Sequence, residues 1–302
     1  MPQARMFTGP RAMQDRIAAA DLGIVIPFRH DRPERFENLS AVLRHLTTTL
    51  ADAEILVIED GAQIHAAALC HDLGVRHIAR PNTGAFHRTR ILNQGIESLL
   101  TRRFAASYDT DVLIYPQAWQ QALAGLRAGR AVVFPYDGRF CDARGALRAR
   151  LLANPDLGQI PADQAQAAPS KGKGDLVCIN PNSVGGVVLF DRATYRACGG
   201  YHEAFVGWGF EDAEIMARMG KLGHAFHRIA EVPLIHLSHP RGRSWAAASW
   251  YGASRRNNAL FRAMGRLSAA QLTDLIAAGE LRCASPPAPK PGLLAQILRW
   301  KG

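Results

Sequence analysis

Long apolar runs are missing from this chain. No stretch reaches the ~18 uncharged apolar residues of a membrane-crossing helix, so no spanning segment is expected. Residues 1–20 hold basic side chains and an alanine triplet but no apolar core of signal-peptide type, which points to a cytoplasmic protein. Cysteine is scarce: five in 302 residues (Cys70, Cys141, Cys178, Cys198, Cys283), odd in number and without a C-x-x-C pair. That excludes a disulfide framework and a cysteine zinc site, and leaves reduced, buried thiols. Also absent are a zinc finger, an RNP-like aromatic motif and a long basic stripe, which argues against nucleic acid as partner.

Hydrophobic residues make up 48% and charged residues 21%, enough for a well-cored globular protein of one large or two small α/β domains. The net charge of +10 calls for an anionic partner. Basic residues form only small clusters, at Arg139–Arg150, Arg241–Arg243 and Arg255–Arg256. An anionic membrane surface together with phosphorylated small molecules accounts for them better than nucleic acid does.

The run Leu22-Gly23-Ile24-Val25-Ile26-Pro27 predicts a buried strand, and Phe36, Leu39, Val42, Leu43 and Leu46 the helix after it. Glu54–Ile58 predicts a second strand, Ile64–Leu73 a helix, Val75–Ile78 a short strand and Thr89–Leu99 another helix. Strands are further expected at Ala131–Pro135, Gly185–Phe190 and Val232–Ile235, and an amphipathic helix from Glu211 towards Gly223. This alternation predicts a mostly parallel central sheet flanked by helices. Residues 1–20 are a lead-in, 21–243 the main domain, 244–284 a helical C-terminal extension and 285–302 a Pro-rich linker with a short tail. Within the main domain, 144–175 predicts a long surface loop with helical pieces, either a lid or disordered. The tail segment Leu293–Lys301, apolar with a basic end, is suited to lie on an anionic membrane or to pack on the domain.

Ligands of parallel sheets bind at the carboxyl ends of the strands. Arg29 and Asp60 stand at two such ends, and Asp109-Thr110-Asp111 at a third. In extended geometry both carboxylates of that D-x-D point the same way, towards one hard cation such as Mg²⁺ or Mn²⁺; otherwise they are surface turn residues. Gly207-Trp208-Gly209-Phe210-Glu211-Asp212 places two acids at a helix start. They either complement the helix dipole or poise Asp212 as a base beside an acceptor hydroxyl. His236 and His239, just past a strand, are either structural or metal ligands.

Together these blocks resemble the β-1,4-galactosyltransferase-like glycosyltransferases, an inverting family of GT-A fold. Ile26-Pro27-Phe28-Arg29 resembles the family's nucleotide-contacting strand end. Phe86 to Gly95 is similar to F-N-R-A-K-L-L-N-x-G, and Asp109-Thr110-Asp111 to D-V-D. Gly185-Gly186-Val187 resembles G-G-V, and Gly207 to Glu214 resembles W-G-W-G-G-E-D-D-D. Ile235–Arg241 resembles M-I-R-H-S-R. The likeness covers roughly residues 22–242. Its departures are Val206 for the first tryptophan, Phe210 for a glycine, Ala213 for the third acid and His236 for the methionine. Ser183 stands where a bulky aromatic lies near the sugar, leaving room for a 2-acetamido group.

The resemblance implies transfer of galactose or an N-acetylhexosamine from a UDP-sugar to a glycan or lipid-linked oligosaccharide, with inversion. Asp212 is then the general base, with Glu211 beside it. Pro27, Phe28, Arg29, Asp60, Arg88, Asp109 and Gly186 line the donor, and Trp208 and Glu211 meet the acceptor. Asp111, His239 and His236 hold Mn²⁺ or Mg²⁺. The location expected is the cytoplasm, with peripheral contact at the inner membrane face. Three other classes remain: an inactive sugar-nucleotide binder, a basic interaction protein and a nucleotidyltransferase.

Overall fold

A computed structural model describes residues 16–282, apart from 162, 164, 166, 169–171, 173, 208 and 241–246. After a two-residue β1 (Ile17–Ala18), the first expected strand forms as β2 (Leu22–Phe28), with all seven side chains buried. Burial on both faces is why it reads as an unbroken apolar run rather than an alternation. Helix Pro33–Thr49 starts with proline in its first turn, where no intrahelical N–H is needed, and buries Leu39, Val42, Leu43 and Leu46. Then come β3 (Leu50–Ala51), β4 (Glu54–Gly61), helix Ala67–Asp72 and β5 (Arg76–Pro81).

The helix expected over 89–99 is two pieces, an α-helix Arg88–Asn93 and a wider π-type turn Gln94–Leu99. Next follow β6 (Phe104–Tyr108), β7 (Val112–Leu113), helix Pro116–Arg127, β8 (Val132–Phe134), β9 (Phe140–Ala143), β10 (Leu176–Asn180) and β11 (Val187–Asp191). Helices Arg192–Ala197 and Glu211–Lys221, β12 (Phe226–Arg228) and β13 (Leu234–Leu237) complete the sheets.

Seven strands form the central sheet in the order β12-β8-β11-β6-β2-β4-β5. All its pairings are parallel except those of β11, which runs antiparallel to β6 and β8. The mostly parallel sheet is therefore as expected. Because β11 runs backwards, its entry lies where β6 leaves, and the Asp109 N–H donates to the Gly186 carbonyl at 2.8 Å. A second sheet, β10-β9-β13-β7, is anticipated by the sequence only at β13, which overlaps the strand expected at Val232–Ile235. β7 and β9 are two and four residues long, too short to show a period.

The segment 144–175 opens with a docked helix, Gly145–Ala153, which buries Leu147 and Leu151. Arg44, on helix Pro33–Thr49, donates to the Ala153 carbonyl at 3.1 Å, tying this helix down. Beyond it Asp156 caps the short turn Leu157–Gln159. The helical C-terminal extension consists of two helices, Ala247–Gly265 and Ala269–Ala277. A capping box formed by Ser268 and Gln271 starts the second. Leu260, Met264, Leu267, Leu272, Leu275 and Leu281 close over Phe205 as a separate small core. Residues 1–15 and 283–302, with the Pro-rich linker and the Leu293–Lys301 segment, lie outside the described residues. Among the described residues no helix is long and apolar enough to cross a membrane.

The π-type turn rides directly on the sheet. A Cβ at Gly95 would come within 2.5 Å of Val25 Cγ1, a side chain that is itself buried. We predict that Gly95→Ala forces this contact apart and costs ~1–3 kcal/mol, read as a lower denaturant midpoint at unchanged slope. An unchanged midpoint would show that the helix can lift from the strand freely.

Candidate functional site

Tyr108 ends β6 in the core, its ring stacked on Trp119 at 5.9 Å and its hydroxyl donating to the Val112 carbonyl at 2.9 Å. This pins the turn that carries Asp109 and Asp111. The backbone turns here rather than staying extended, and the two carboxylates take different partners. Of the two arrangements open to the D-x-D, the structure has Asp111 joining two histidines and Asp109 joining an arginine.

Asp111, His236 and His239 each offer a ligand atom within 4.8 Å of the others. His239 Nε2 lies 3.1 Å and His236 Nε2 3.8 Å from Asp111 Oδ2. Strand pairing builds this trio. Leu237 N–H donates to the Asp111 carbonyl at 2.7 Å, and His236 pairs with Val112 across β13 and β7. Each imidazole also turns Nδ1 to an oxygen, His236 to Asp142 Oδ1 at 2.5 Å and His239 to the Pro240 carbonyl at 3.0 Å. With each Nδ1 engaged in this way, the Nε2 atoms are the ones turned to Asp111.

Charge follows this geometry. Burial disfavours the His236 imidazolium, but Asp111 and Asp142 outweigh it and lift its pKa to about 9. Burial likewise disfavours the Asp111 carboxylate, yet His236, His239 and Arg35 hold it well below the usual range. Arg35 Nη1 stands 3.6 Å from Asp111 Oδ2. One carboxylate oxygen and two imidazole nitrogens, with cationic groups supplying the missing positive charge, are a donor set that fits a divalent first-row cation.

The second cluster is centred on Arg88. Its Nη2 reaches Asp109 Oδ1 at 2.8 Å, and its Nη1 reaches Asp212 Oδ1 at 3.1 Å and Glu211 Oε1 at 3.7 Å. Burial works against the guanidinium, but Asp109 and Asp212 keep it charged. Tyr201 donates from its hydroxyl to the same Asp212 Oδ1 at 3.0 Å. Both hydrogen bonds therefore fall on Oδ1, and Oδ2 lies against Gly185, where a Cβ would come within 2.9 Å of it. Glu211 and Asp212 open helix Glu211–Lys221 as expected, after Phe210 in a left-handed conformation with φ 73°. Burial and the neighbouring Asp212 raise the Glu211 pKa to about 7. Burial also raises Asp109, against the pull of Arg88.

At the ends of β2 and β4, Pro27 and Phe28 are buried, so Arg29 and His30 are the first partly exposed side chains. Arg29 Nη2 meets Asp60 Oδ2 at 2.8 Å, and Asn82 Nδ2 reaches both Asp60 oxygens at 3.1 and 2.9 Å. His30 stacks on His65 with ring centroids 3.9 Å apart. Gly186 adopts φ 86° beside Leu234 and Phe140, a place no side chain could share. Trp208 lies outside the described residues. Its flanking carbonyls are held: Asn257, fully buried, donates to the carbonyls of Val206 at 3.3 Å and Gly209 at 3.1 Å.

Asp142, Tyr201, Asn257, Arg35 and His65 were not singled out from sequence. None stands in a motif block whose spacing marks chemistry, and each arrives through strand pairing or packing. Only Tyr201, just after Gly199 and Gly200, follows a turn signal.

Residues 179–240 match the family described as N-terminal domain of galactosyltransferase. No curated protein sequence matches the chain. Among solved structures, glucosyl-3-phosphoglycerate synthase from Mycobacterium tuberculosis, with Mn²⁺, UDP and phosphoglyceric acid, superposes with a TM-score of 0.50. That match covers 82% of this chain and 78% of that one at 14% identity, and it shows the GT-A fold. A Drosophila β-1,4-galactosyltransferase 7 variant, with manganese, UDP-Gal and xylobiose, superposes at 0.42 with 18% identity, over 75% of this chain and 72% of that one.

With Glu211 lifted from 4.5 to about 7, the folded chain keeps a proton that the unfolded chain has released between those values. Its contribution to stability is full below about pH 4.5 and lost as pH rises through about 7. We predict that Glu211→Gln flattens the fall of the thermal midpoint between pH 5 and 8. Parallel profiles for variant and parent would contradict this.

Proposed function

Taking the chain as a glycosyltransferase, galactosyltransferase-like over residues 179–240, we propose that it is a metal-dependent inverting enzyme. It moves galactose or an N-acetylhexosamine from a UDP-sugar to a hydroxyl of a glycan or lipid-linked oligosaccharide. The observation that carries this reading is the Asp109–Asp111 turn. It ties a cation-suited trio to a carboxylate cluster holding a base, so leaving group and nucleophile are served from one turn. The M. tuberculosis synthase, crystallised with Mn²⁺ and UDP, supports the choice of donor and metal through the shared fold.

Asp111, His236 and His239 would hold the Mn²⁺ or Mg²⁺, which supplies positive charge to the departing diphosphate. Asp212 takes the acceptor proton. Arg88 and Tyr201 both engage Oδ1, so Oδ2 is the oxygen turned to the acceptor hydroxyl. Arg88 serves as the positioning cation for Asp109, Glu211 and Asp212, and it faces the donor phosphates through the same guanidinium. Glu211, its pKa raised to about 7 by burial and Asp212, stands beside Asp212 as the second carboxyl group turned to the acceptor.

Asp60, already bonded by Arg29 and Asn82, is a fixed acceptor for the uracil ring, and Arg29 supplies charge to the phosphates. Pro27 and Phe28 set the strand end from within the core. Ser183, whose hydroxyl accepts from Gly185 N–H at 3.2 Å, is the small residue beside the sugar that leaves room for a 2-acetamido group. Trp208 offers a ring face to the acceptor.

The test is donor binding and turnover with UDP-galactose, UDP-glucose and their N-acetyl forms, each with Mn²⁺, Mg²⁺ or EDTA. We expect Asp111→Ala to abolish metal-dependent donor binding, and Asp212→Asn to bind donor normally while kcat falls ~10²–10⁴-fold. Absence of metal-dependent nucleotide binding in the parent would defeat the transferase reading and favour the basic interaction protein.

A further inference from the structure

A histidine ligand is useful only if the right nitrogen faces the metal. His236 sits on a four-residue strand, with Phe140 tilted against its ring at 5.1 Å. Neither feature distinguishes Nδ1 from Nε2. Asp142 does. β13 and β9 run parallel, with His236 directly opposite Asp142, so the two side chains leave the same face of the small sheet. Asp142 Oδ1 meets His236 Nδ1 at 2.5 Å, and Arg144 Nε holds Asp142 Oδ2 from the other side at 2.8 Å. Asp142 is buried, so solvent competes little for this contact.

We propose that Asp142 is a positioning residue for the metal centre. Its carboxylate accepts the Nδ1 proton of His236 and so commits Nε2 to the cation beside Asp111. This rests on the metal role of Asp111, His236 and His239 given above. A carboxylate behind a metal-bound imidazole fixes tautomer and ring orientation and increases ligand basicity. Among the described residues His239 has the Pro240 carbonyl in this role, a neutral acceptor, so the two histidines are unequal ligands. The chain thus carries a carboxylate–histidine–metal relay assembled by the pairing of β9 with β13.

A thioether has no tautomer. A His236→Met substitution therefore removes the need for Asp142 and turns the proposal into a double-mutant cycle. The probe is Mn²⁺ alone and Mn²⁺ with UDP, titrated against the full chain and followed by the EPR signal of free Mn²⁺. We expect Asp142→Ala to weaken Mn²⁺ binding ~10–100-fold in the parent. Asp142→Asn, which keeps an acceptor oxygen but no charge, falls between. In the His236→Met background Asp142→Ala changes affinity by less than about 3-fold if the residue acts through His236.

Equal Mn²⁺ affinity of parent and Asp142→Ala overturns the proposal. So does an equal loss in both backgrounds, which marks Asp142 as merely structural. Should Asp142→Ala not fold, the Asp142→Asn pair in the same two backgrounds decides by the same rule. A parent that binds no Mn²⁺ at all defeats the metal reading itself, a result distinct from either of these.

Discussion

A guanidinium enclosed by protein survives only where carboxylates surround it, and carboxylates crowded together survive only around such a cation. Arg88 meets this condition from both sides, set among Asp109, Glu211 and Asp212. Remove its charge and three acids from two distant parts of the chain repel across a partly desolvated space. Keep it, and the end of β6 is locked to the start of helix Glu211–Lys221. Tyr201 reinforces the lock by bonding the same oxygen of Asp212. Where Asp212 stands and which of its oxygens is left unbonded both follow from this one ion cluster.

The second constraint is the antiparallel course of β11. In an all-parallel sheet Gly185 and Gly186 would enter at the opposite edge from Asp109. Reversing one strand brings two glycines to the carboxyl end of β6, where a backbone without side chains lies against Asp212 and Asp109. The small second sheet then folds across the same edge and delivers His236 through its pairing with β7 and β9. One topological irregularity and one accessory sheet convert an ordinary strand end into a two-part site.

Much of this was legible in the amino-acid order, because strong local signals coincide there with the final geometry. β2 and β4 are continuous apolar runs, and Glu211 to Lys221 carries both an acidic start and a helical period. Asp111, Asp212, His236 and His239 stand in ordered blocks of the sequence, and the structure brings them to one edge. What escaped notice depends on partners far away in sequence. Asp142 means nothing until β9 pairs with β13, and Asn257 meets Val206 across 51 positions. The separate partners of Asp109 and Asp111 were hidden because a D-x-D reads alike in a strand and in a turn. The break in the C-terminal extension was visible in principle, since Ser268 and Gln271 stand at capping-box spacing.

Asn257 has a temporal meaning as well as a spatial one. The loop that carries Trp208 and leads into Asp212 is anchored by an amide that lies 48 to 51 residues further along the chain. A polypeptide emerging from the ribosome completes the central strands first and receives this anchor only with its C-terminal helices. The carbonyls of Val206 and Gly209 wait, meanwhile, on water. Nascent chains thus hold a formed sheet beside an unfastened loop, and synthesis itself sets the order in which the two come into being.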